Sequence, residues 1–179
     1  MVRTVCAERS SNVAACGGDA VCIIDCTSGA VVSKYRVPRE ELYALAWTLL
    51  RFRGQGGQRR PVLVVGSGSG KLHLLYPTGN CCYGVIDAHK QPVSTMCFHP
   101  SQESLLFTAA YDKTVTLWDI GIPDTELNFS HLKLMTLAVA GVPLKLTSVM
   151  ACPERGLLAA GVGGCWAWDI SLEDSKTYR

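Results

Sequence analysis

Apolar and polar residues alternate with a period of two in short runs of this chain, and turns rich in glycine and aspartate separate the runs. Four segments each hold two such runs around a turn, which predicts four β-hairpins at residues 13–25, 62–76, 105–119 and 157–169. The runs favour Val, Ile, Leu, Thr and Trp, the residue types enriched in strands. The pattern therefore predicts an all-β chain.

The hairpins recur at a nearly constant spacing. They end at residues 25, 76, 119 and 169, so the repeat lengths are 51, 43 and 50. A strand-like run precedes each hairpin (residues 4–7, 42–49, 93–98 and 146–151), and another follows three of them (30–37, 81–86 and 132–140). Four strands every ~40–50 residues are typical of a β-propeller blade. We predict one domain over residues 1–179, a partial ring of about four four-stranded blades with approximate repeats 1–40, 41–90, 91–141 and 142–179.

Composition narrows the functional classes. Of the 179 residues, 48% are hydrophobic and the formal net charge is +2, which favours a folded domain and argues against direct nucleic-acid binding. No apolar run approaches the ~18–20 residues of a membrane span, and residues 1–11 lack the apolar segment of a signal peptide. We therefore predict no membrane partner and no cleaved leader.

The nine cysteines give no metal-binding pattern. None belongs to a C-x2-C pair, so no metal site is predicted, and no cofactor is expected. Cys22 and Cys26 have the even spacing of one strand face and are interpreted as buried core thiols. Reduced thiols indicate a reducing compartment, the nucleus or the cytosol.

The third repeat carries the most specific motif. It has a histidine at 89, Phe-His-Pro at 98–100, an aspartate turn at 112 and Trp-Asp at 118–119, and it resembles a complete WD40 repeat. The other repeats keep less of the pattern: the fourth ends in Trp-Asp, the first in Ile-Asp and the second in Leu-Tyr. The resemblance implies a WD40 β-propeller. It also implies a structural relay in which His89 bonds Asp112 and Thr108 links the histidine to the indole of Trp118.

Other candidate chemistry is weaker. Gly66–Lys71 is glycine-rich, but a P-loop would need glycine at 65 and Ser or Thr at 72, where valine and leucine stand, so we interpret it as a hairpin turn. No nucleophile or acid–base pair is recognisable, so no enzyme and no small-molecule substrate are predicted. The other three histidines, His73, His99 and His131, are interpreted as ordinary surface or strand residues. Four arginines in residues 51–60 would suit a phosphate or an acidic partner, but we favour a flexible, solvated loop.

Two tyrosines are candidates for a methyl-lysine cage. Tyr43 opens the inner strand of the second repeat at the channel mouth, and Tyr111 lies in a turn of the next repeat. Aromatic faces hold a trimethylammonium through cation–π attraction, and Glu40 and Glu41 would form an acidic rim for a basic tail. The alternative is ordinary packing. Trp47, on the same predicted strand face as Tyr43, is interpreted as core.

A closer resemblance spans most of the chain. Residues 42–47, 88–119 and 163–169 resemble the C-terminal propeller of a family of origin recognition complex-associated proteins with leucine-rich and WD repeats. It implies a nuclear, non-enzymatic chromatin scaffold that binds subunits of the origin recognition complex and trimethylated histone H3 and H4 tails in heterochromatin and replication initiation. The alternative is a WD40 adaptor of another pathway, such as a ubiquitin-ligase receptor or a trafficking scaffold. Because propellers of this family usually have seven blades, we expect the chain to be part of a longer protein.

Overall fold

The computed structural model describes residues 12–54, 56, 58–138 and 164–168 with their side chains, and the backbone of 3–6, 146–151, 156–161 and 169. In these residues, fifteen strands form four antiparallel sheets. The first sheet, blade 1, holds β1 (Arg3–Cys6), β2 (Asn12–Gly17), β3 (Ala20–Asp25) and β4 (Val31–Arg36). Blade 2 holds β5 (Leu42–Arg51), β6 (Arg59–Ser67), β7 (Lys71–Tyr76) and β8 (Cys81–Asp87), with a 3-10 turn at Pro77–Gly79.

The other two blades follow the same order. Blade 3 holds β9 (Val93–Phe98), β10 (Leu105–Ala110), β11 (Thr114–Asp119) and β12 (Leu132–Ala138), and blade 4 holds β13 (Leu146–Ala151), β14 (Gly156–Gly161) and β15 (Gly164–Asp169). Strands adjacent in sequence pair as neighbours throughout each sheet. Strands β9 and β13 have the predicted bounds. The predicted all-β partial propeller is confirmed, with three strands described in blade 4.

The hydrophobic core lies between the blades. One cluster, with Ile23, Leu45 and Leu63, joins blades 1 and 2. A second joins blades 2 and 3, and includes Leu50 and Leu106. A third cluster in blade 3 packs against the tryptophans of β15. Because these faces are covered by the next sheet, each blade is stabilised mainly through its neighbours.

A β-bulge interrupts each inner strand of blades 2, 3 and 4 at its second residue. In blade 2, Leu42 pairs with Ser67 and Ala44 pairs with Gly66, which leaves Tyr43 out of the ladder. The same shift occurs around residues 94 and 147. A bulge re-aims one side chain and reverses the alternation beyond it. The predicted shared face of Tyr43 and Trp47 is therefore wrong.

The arginine-rich segment is docked on the neighbouring blade. Strands β5 and β6 continue as far as the pair Arg51–Arg59. Arg59 Nε lies 3.3 Å from a carboxylate oxygen of Glu103, and the backbone N–H of Arg53 donates to the carbonyl of Pro123 at 2.9 Å. The segment is solvated, as predicted, at its described turn residues, but its two ends belong to the paired strands and contact blade 3, so the interpretation of the whole segment as a flexible loop was wrong.

The described cysteines are free thiols in different surroundings. Cys16 is buried and Cys22 is half-buried, whereas Cys26 and Cys165 are exposed. Cys26 follows the end of β3, in a turn, so its predicted place on a strand face with Cys22 is wrong. The reducing compartment stays a prediction.

Candidate functional site

A buried hydrogen-bond relay spans blade 3. His89 precedes β9; its Nδ1 lies 3.1 Å from Asp112 Oδ2, and its Nε2 lies 2.8 Å from Thr108 Oγ1. The indole N–H of Trp118 donates to the same threonine oxygen at 3.2 Å. Asp112 also accepts the Thr114 hydroxyl at 2.7 Å. The structure thus brings together the four residues of the implied relay.

The hydrogen bonds of the relay suit a neutral imidazole. If His89 Nδ1–H donates to Asp112, Nε2 accepts the Thr108 hydroxyl, and every polar group has a partner. Burial lowers the pKa of His89 below its ordinary value, although the Asp112 carboxylate opposes this. The His89 side chain is only 1% exposed, so it cannot reach a substrate. Its role is to hold the loop before β9 against the hairpin formed by β10 and β11.

Blade 2 contains a different polar network at the same end of its sheet. Glu40 precedes β5, and its Oε2 lies 3.4 Å from His73 Nε2 on β7. Burial alone would raise the pKa of Glu40, but hydrogen bonds from Ser67, Ser69 and His73 hold that pKa below its usual range. The His73 side chain is 6% exposed, and its Nδ1 is buried without a hydrogen-bond partner.

This network corrects one prediction and refines another. Glu40 is turned inward and bonded within blade 2, so it is not part of a free acidic rim. His73 is a strand residue, one of the two predicted alternatives, and it is a buried partner of that carboxylate. A signal was present in the sequence, because the polar side chains of Ser67, Ser69 and His73 follow or interrupt the apolar runs of this hairpin.

One glycine joins the two networks. The Gly70 carbonyl, in the turn between β6 and β7, accepts the backbone N–H groups of Ala88 and His89 at 3.2 and 2.9 Å. Gly70 has φ +85°, and a Cβ placed there would lie 2.1 Å from the His89 carbonyl oxygen. Only glycine permits this close approach, so the turn of blade 2 positions the relay of blade 3.

The two predicted cage tyrosines lie near each other at this end of the propeller. The Tyr43 hydroxyl donates to the Glu41 carboxylate, and its ring covers Gly68, where a Cβ would meet Tyr43 Cε2 at 3.1 Å. The hydrogen bond to Glu41 is the main cause that raises the pKa of Tyr43, with smaller contributions from burial and from the nearby Tyr111. Tyr111 is 39% exposed, and its backbone N–H donates to Pro92, just before β9.

The described residues contain neither a metal-binding cluster nor a membrane-spanning helix. Among the described residues, no group of three or more His, Cys, Asp or Glu side chains is arranged to hold a metal ion. Within the same residues, no helix has the length and apolarity needed to cross a membrane.

Several known proteins similar to this chain share one name. A family profile described as "Leucine-rich repeat and WD repeat-containing protein 1, WD domain" matches residues 4–179. The chain is 47% identical over 169 residues to Leucine-rich repeat and WD repeat-containing protein 1 of Xenopus laevis, covering 93% of this chain and 23% of that protein. The human protein of the same name is 44% identical over 172 residues, covering 95% of this chain and 27% of that protein. The chain thus spans about a quarter of the length of these relatives.

Solved structures share the fold at low sequence identity. "Crystal structure of an active polycomb repressive complex 2 in the basal state" aligns with a TM-score of 0.74 and 17% identity, over 96% of this chain and 37% of that chain. "Structure of ctPRC2 in complex with H3K27me3 and H3K27M" gives the same values. These likenesses support the propeller fold alone. The family rests on the profile match over residues 4–179 and on the sequence relatives, which support a WD-repeat scaffold: the chain belongs to the WD domain family of leucine-rich repeat and WD repeat-containing protein 1.

Proposed function

We propose that this chain is a non-enzymatic interaction module of nuclear chromatin that binds trimethylated histone H3 or H4 tails and subunits of the origin recognition complex. The observation that carries the histone part is the Tyr43 ring, which the Glu41 carboxylate holds over Gly68 at the end of the propeller where the exposed Tyr111 also lies. Family membership supports the scaffold role. The origin recognition complex rests on the family resemblance.

The tyrosine pair has the chemistry that a trimethylated lysine requires. A trimethylammonium cannot donate a hydrogen bond, so a protein holds it with the faces of aromatic rings. Tyr43 is positioned by its bulge, by the Glu41 carboxylate and by the surface of Gly68, which restricts the motion of its ring. A positioned ring loses less entropy on binding than a mobile one.

The charge beside the pair favours a basic tail. Glu41 is exposed and contacts the Tyr43 hydroxyl, so its carboxylate lies next to the proposed cage. Glu40 contributes less, because it is bonded to His73. A rim charge of this kind raises the association rate more than the affinity.

Fluorescence anisotropy with histone tail peptides tests the cage. We expect trimethylated H3 or H4 tails to bind more tightly than unmodified tails, and Tyr43→Ala to abolish the difference. Tyr43→Phe is the matched control, because it keeps the aromatic face and should keep binding. If both variants bind a trimethylated tail like the parent chain, the proposed cage is wrong.

Coprecipitation of origin recognition complex subunits from nuclear extract, with purified subunits as confirmation, tests the second partner. Recruitment that survives Tyr43→Ala would place the two partners on separate surfaces. Failure of methyl-dependent binding together with failure of recruitment would contradict the proposed function and favour a WD40 adaptor of another pathway.

A further inference from the structure

A cleft of about 200 Å³ opens between blades 2 and 3, near the ends of β5 and β9. Tyr43 is at the start of β5, and the cleft begins four residues later, so ~13 Å of strand separates the two places. The lining combines apolar rings with polar groups: Trp47, Pro61, Phe98, Pro100, His99 and Arg59.

The apolar walls are held by the cores on either side. Trp47 packs against the cluster between blades 1 and 2, and Phe98 packs against the cluster between blades 2 and 3. Pro61 lies on β6, in register with Leu49, and Pro100 is exposed at the rim. Flat rings in fixed positions form a preformed slot for one apolar side chain.

The polar side of the cleft presents hydrogen-bond donors. The backbone N–H of Ser101 donates to His99 Nδ1 at 3.2 Å, so the neutral ring carries its proton on Nε2. Burial lowers the pKa of His99 and favours this neutral form. Arg59 is 51% exposed and contacts Glu103 through Nε, so its two Nη groups remain as donors toward solvent.

The surrounding charge is positive. Glu103 interacts with the Arg59 side chain and also accepts the backbone N–H of Arg51 at 3.1 Å, so its carboxylate is largely compensated. The side chains of Arg51 and Arg53 are exposed on the same hairpin. A negatively charged ligand would therefore be attracted to this rim.

From these observations we propose that the cleft binds a short acidic peptide with one apolar anchor residue. The anchor side chain lies between Trp47, Phe98 and the prolines, while a peptide carboxylate pairs with Arg59. A backbone carbonyl of the peptide accepts the His99 Nε2–H. A peptide suits the site better than a nucleic acid, because the described lining holds one cationic side chain, Arg59, whereas a phosphate backbone is bound through several Lys or Arg contacts. The proposal goes beyond the histone and origin partners and does not use the tyrosine pair.

The first experiment measures binding of a labelled probe. A fluorescein-labelled peptide, Ser-Glu-Asp-Ser-Trp-Glu-Asp-Ser, in which the tryptophan is the anchor, is titrated with the chain and followed by anisotropy. Saturable binding is expected, and it should weaken about fivefold or more in Arg59→Gln, as for loss of a charge-assisted pair. Lys34→Gln, which removes one positive charge from an exposed position of β4, is the matched control and should bind like the parent. Thermal melts establish that each variant is folded.

Altered probes test the two halves of the recognition. Replacing the anchor tryptophan of the probe by glycine should abolish binding, and so should replacing its acidic residues by lysine. Tyr43→Ala should leave binding unchanged, so failure of the histone proposal and failure of this one are distinguishable. Absence of saturable binding by the folded chain would overturn the proposal, as would equal binding by Arg59→Gln and Lys34→Gln.

Photo-crosslinking identifies the protein residues that the anchor side chain of the probe contacts. With p-benzoylphenylalanine at the anchor position of the probe, crosslinks are expected at Trp47, Phe98 or Pro100. Crosslinks confined to other surfaces would overturn the proposal. So would displacement of the probe by a twelve-residue oligothymidine that binds more tightly than the peptide, because the cleft would then be a nucleic-acid site.

Discussion

Blades 2 and 3 fill the same place in the fold with opposite chemistry. In blade 3 the loop before the inner strand supplies the imidazole, His89, and the hairpin turn supplies the carboxylate, Asp112. In blade 2 that loop supplies the carboxylate, Glu40, and the hairpin supplies the imidazole, His73. Both networks connect the loop before the inner strand to the hairpin that follows that strand in the same blade.

The comparison teaches that the WD40 signature is one solution to a local requirement. A loop that enters the inner strand brings polar groups into a partly buried place, and those groups must find partners. Blade 2 lacks the signature but meets the requirement with a carboxylate, two serines and a histidine. Its network is less complete, because His73 Nδ1 has no partner, whereas the relay of blade 3 satisfies both ring nitrogens.

The largest difference in stability between the two blades is expected near the end of the third strand of each, at Trp118 on β11 and Leu75 on β7. Trp118→Ala removes a buried aromatic side chain and the donor to Thr108, and should lower the free energy of unfolding by about 3–5 kcal/mol. Leu75→Ala, at the matching position of blade 2, removes a smaller side chain and no hydrogen bond, and should cost less. Chemical denaturation measures both variants. A loss at Leu75 equal to that at Trp118 would show that the relay adds nothing to blade 3.

The second prediction concerns the joint between the two networks. Gly70→Ala would drive a Cβ into the His89 carbonyl and should lower stability by about 2 kcal/mol more than Gly18→Ala. Gly18 is the matched control, because it also has a positive φ in a hairpin turn but meets nothing within 4 Å. Thermal or denaturant unfolding compares the variants. Equal losses would mean that the two blades are not coupled through this turn.

The third prediction concerns Thr108 of blade 3 and Val65 of blade 2, each of which is replaced by the other residue type. Thr108→Val leaves His89 and Trp118 without their shared hydroxyl and should cost about 1–3 kcal/mol. In blade 2, Val65 pairs with His73, so Val65→Thr brings a hydroxyl near a histidine whose Nδ1 lacks a partner. Denaturation should therefore show a smaller loss, or a gain, for Val65→Thr. A larger loss there than for Thr108→Val would contradict the comparison.

The smallest expected effect is a difference in pH dependence. The folded-state pKa of His89 is below its ordinary value of 6.5, so the unfolded chain takes up a proton first and stability falls as the pH drops below about 6.5. The folded-state pKa of Glu40 is below 4.5, so its contribution is present above that pH and is lost only on further acidification. The blade 3 relay should thus weaken before the blade 2 network.

Histidine and carboxyl NMR titrations, with melts from pH 7 to pH 4, measure this order. The pKa of His99 is also lowered, so His99→Asn serves as the control that removes its contribution from the same pH range. Stability that stays constant between pH 7 and pH 5 in the parent would contradict the assignment of His89 as a neutral relay member.

Much of the fold could be predicted because strand alternation and turn residues are local signals. Strand β9 has the predicted bounds, and the relay around Trp118 follows from the WD40 resemblance. Strand β5 continues beyond the predicted run, because Arg51 and Arg59 remain paired while Glu103 of the next blade holds them. That partner is distant in sequence, and no local pattern indicates it.

The site was less predictable for the same physical reason. A bulge adds one residue to a strand, so counting by twos assigned Tyr43 to the face of Trp47. Glu40 and Glu41 are adjacent and look equivalent in sequence, but one is bonded to His73 and the other to Tyr43. Which carboxylate turns inward is decided by a hairpin some thirty residues later in the chain.

The position of the hydrophobic clusters, between blades and not within them, has a consequence for folding. An isolated four-stranded sheet of this chain would expose its apolar faces to water until a neighbouring sheet packs against it. The cooperative folding unit is therefore a pair of adjacent sheets with the hydrophobic cluster between them. Folding then proceeds by the successive packing of sheets, and the sheets that have a neighbour on both faces are the most protected from hydrogen exchange. Central strands β6 and β10 each contribute to the clusters on both sides, so their amides are the last to exchange with solvent, whether or not the blade carries a Trp-Asp ending.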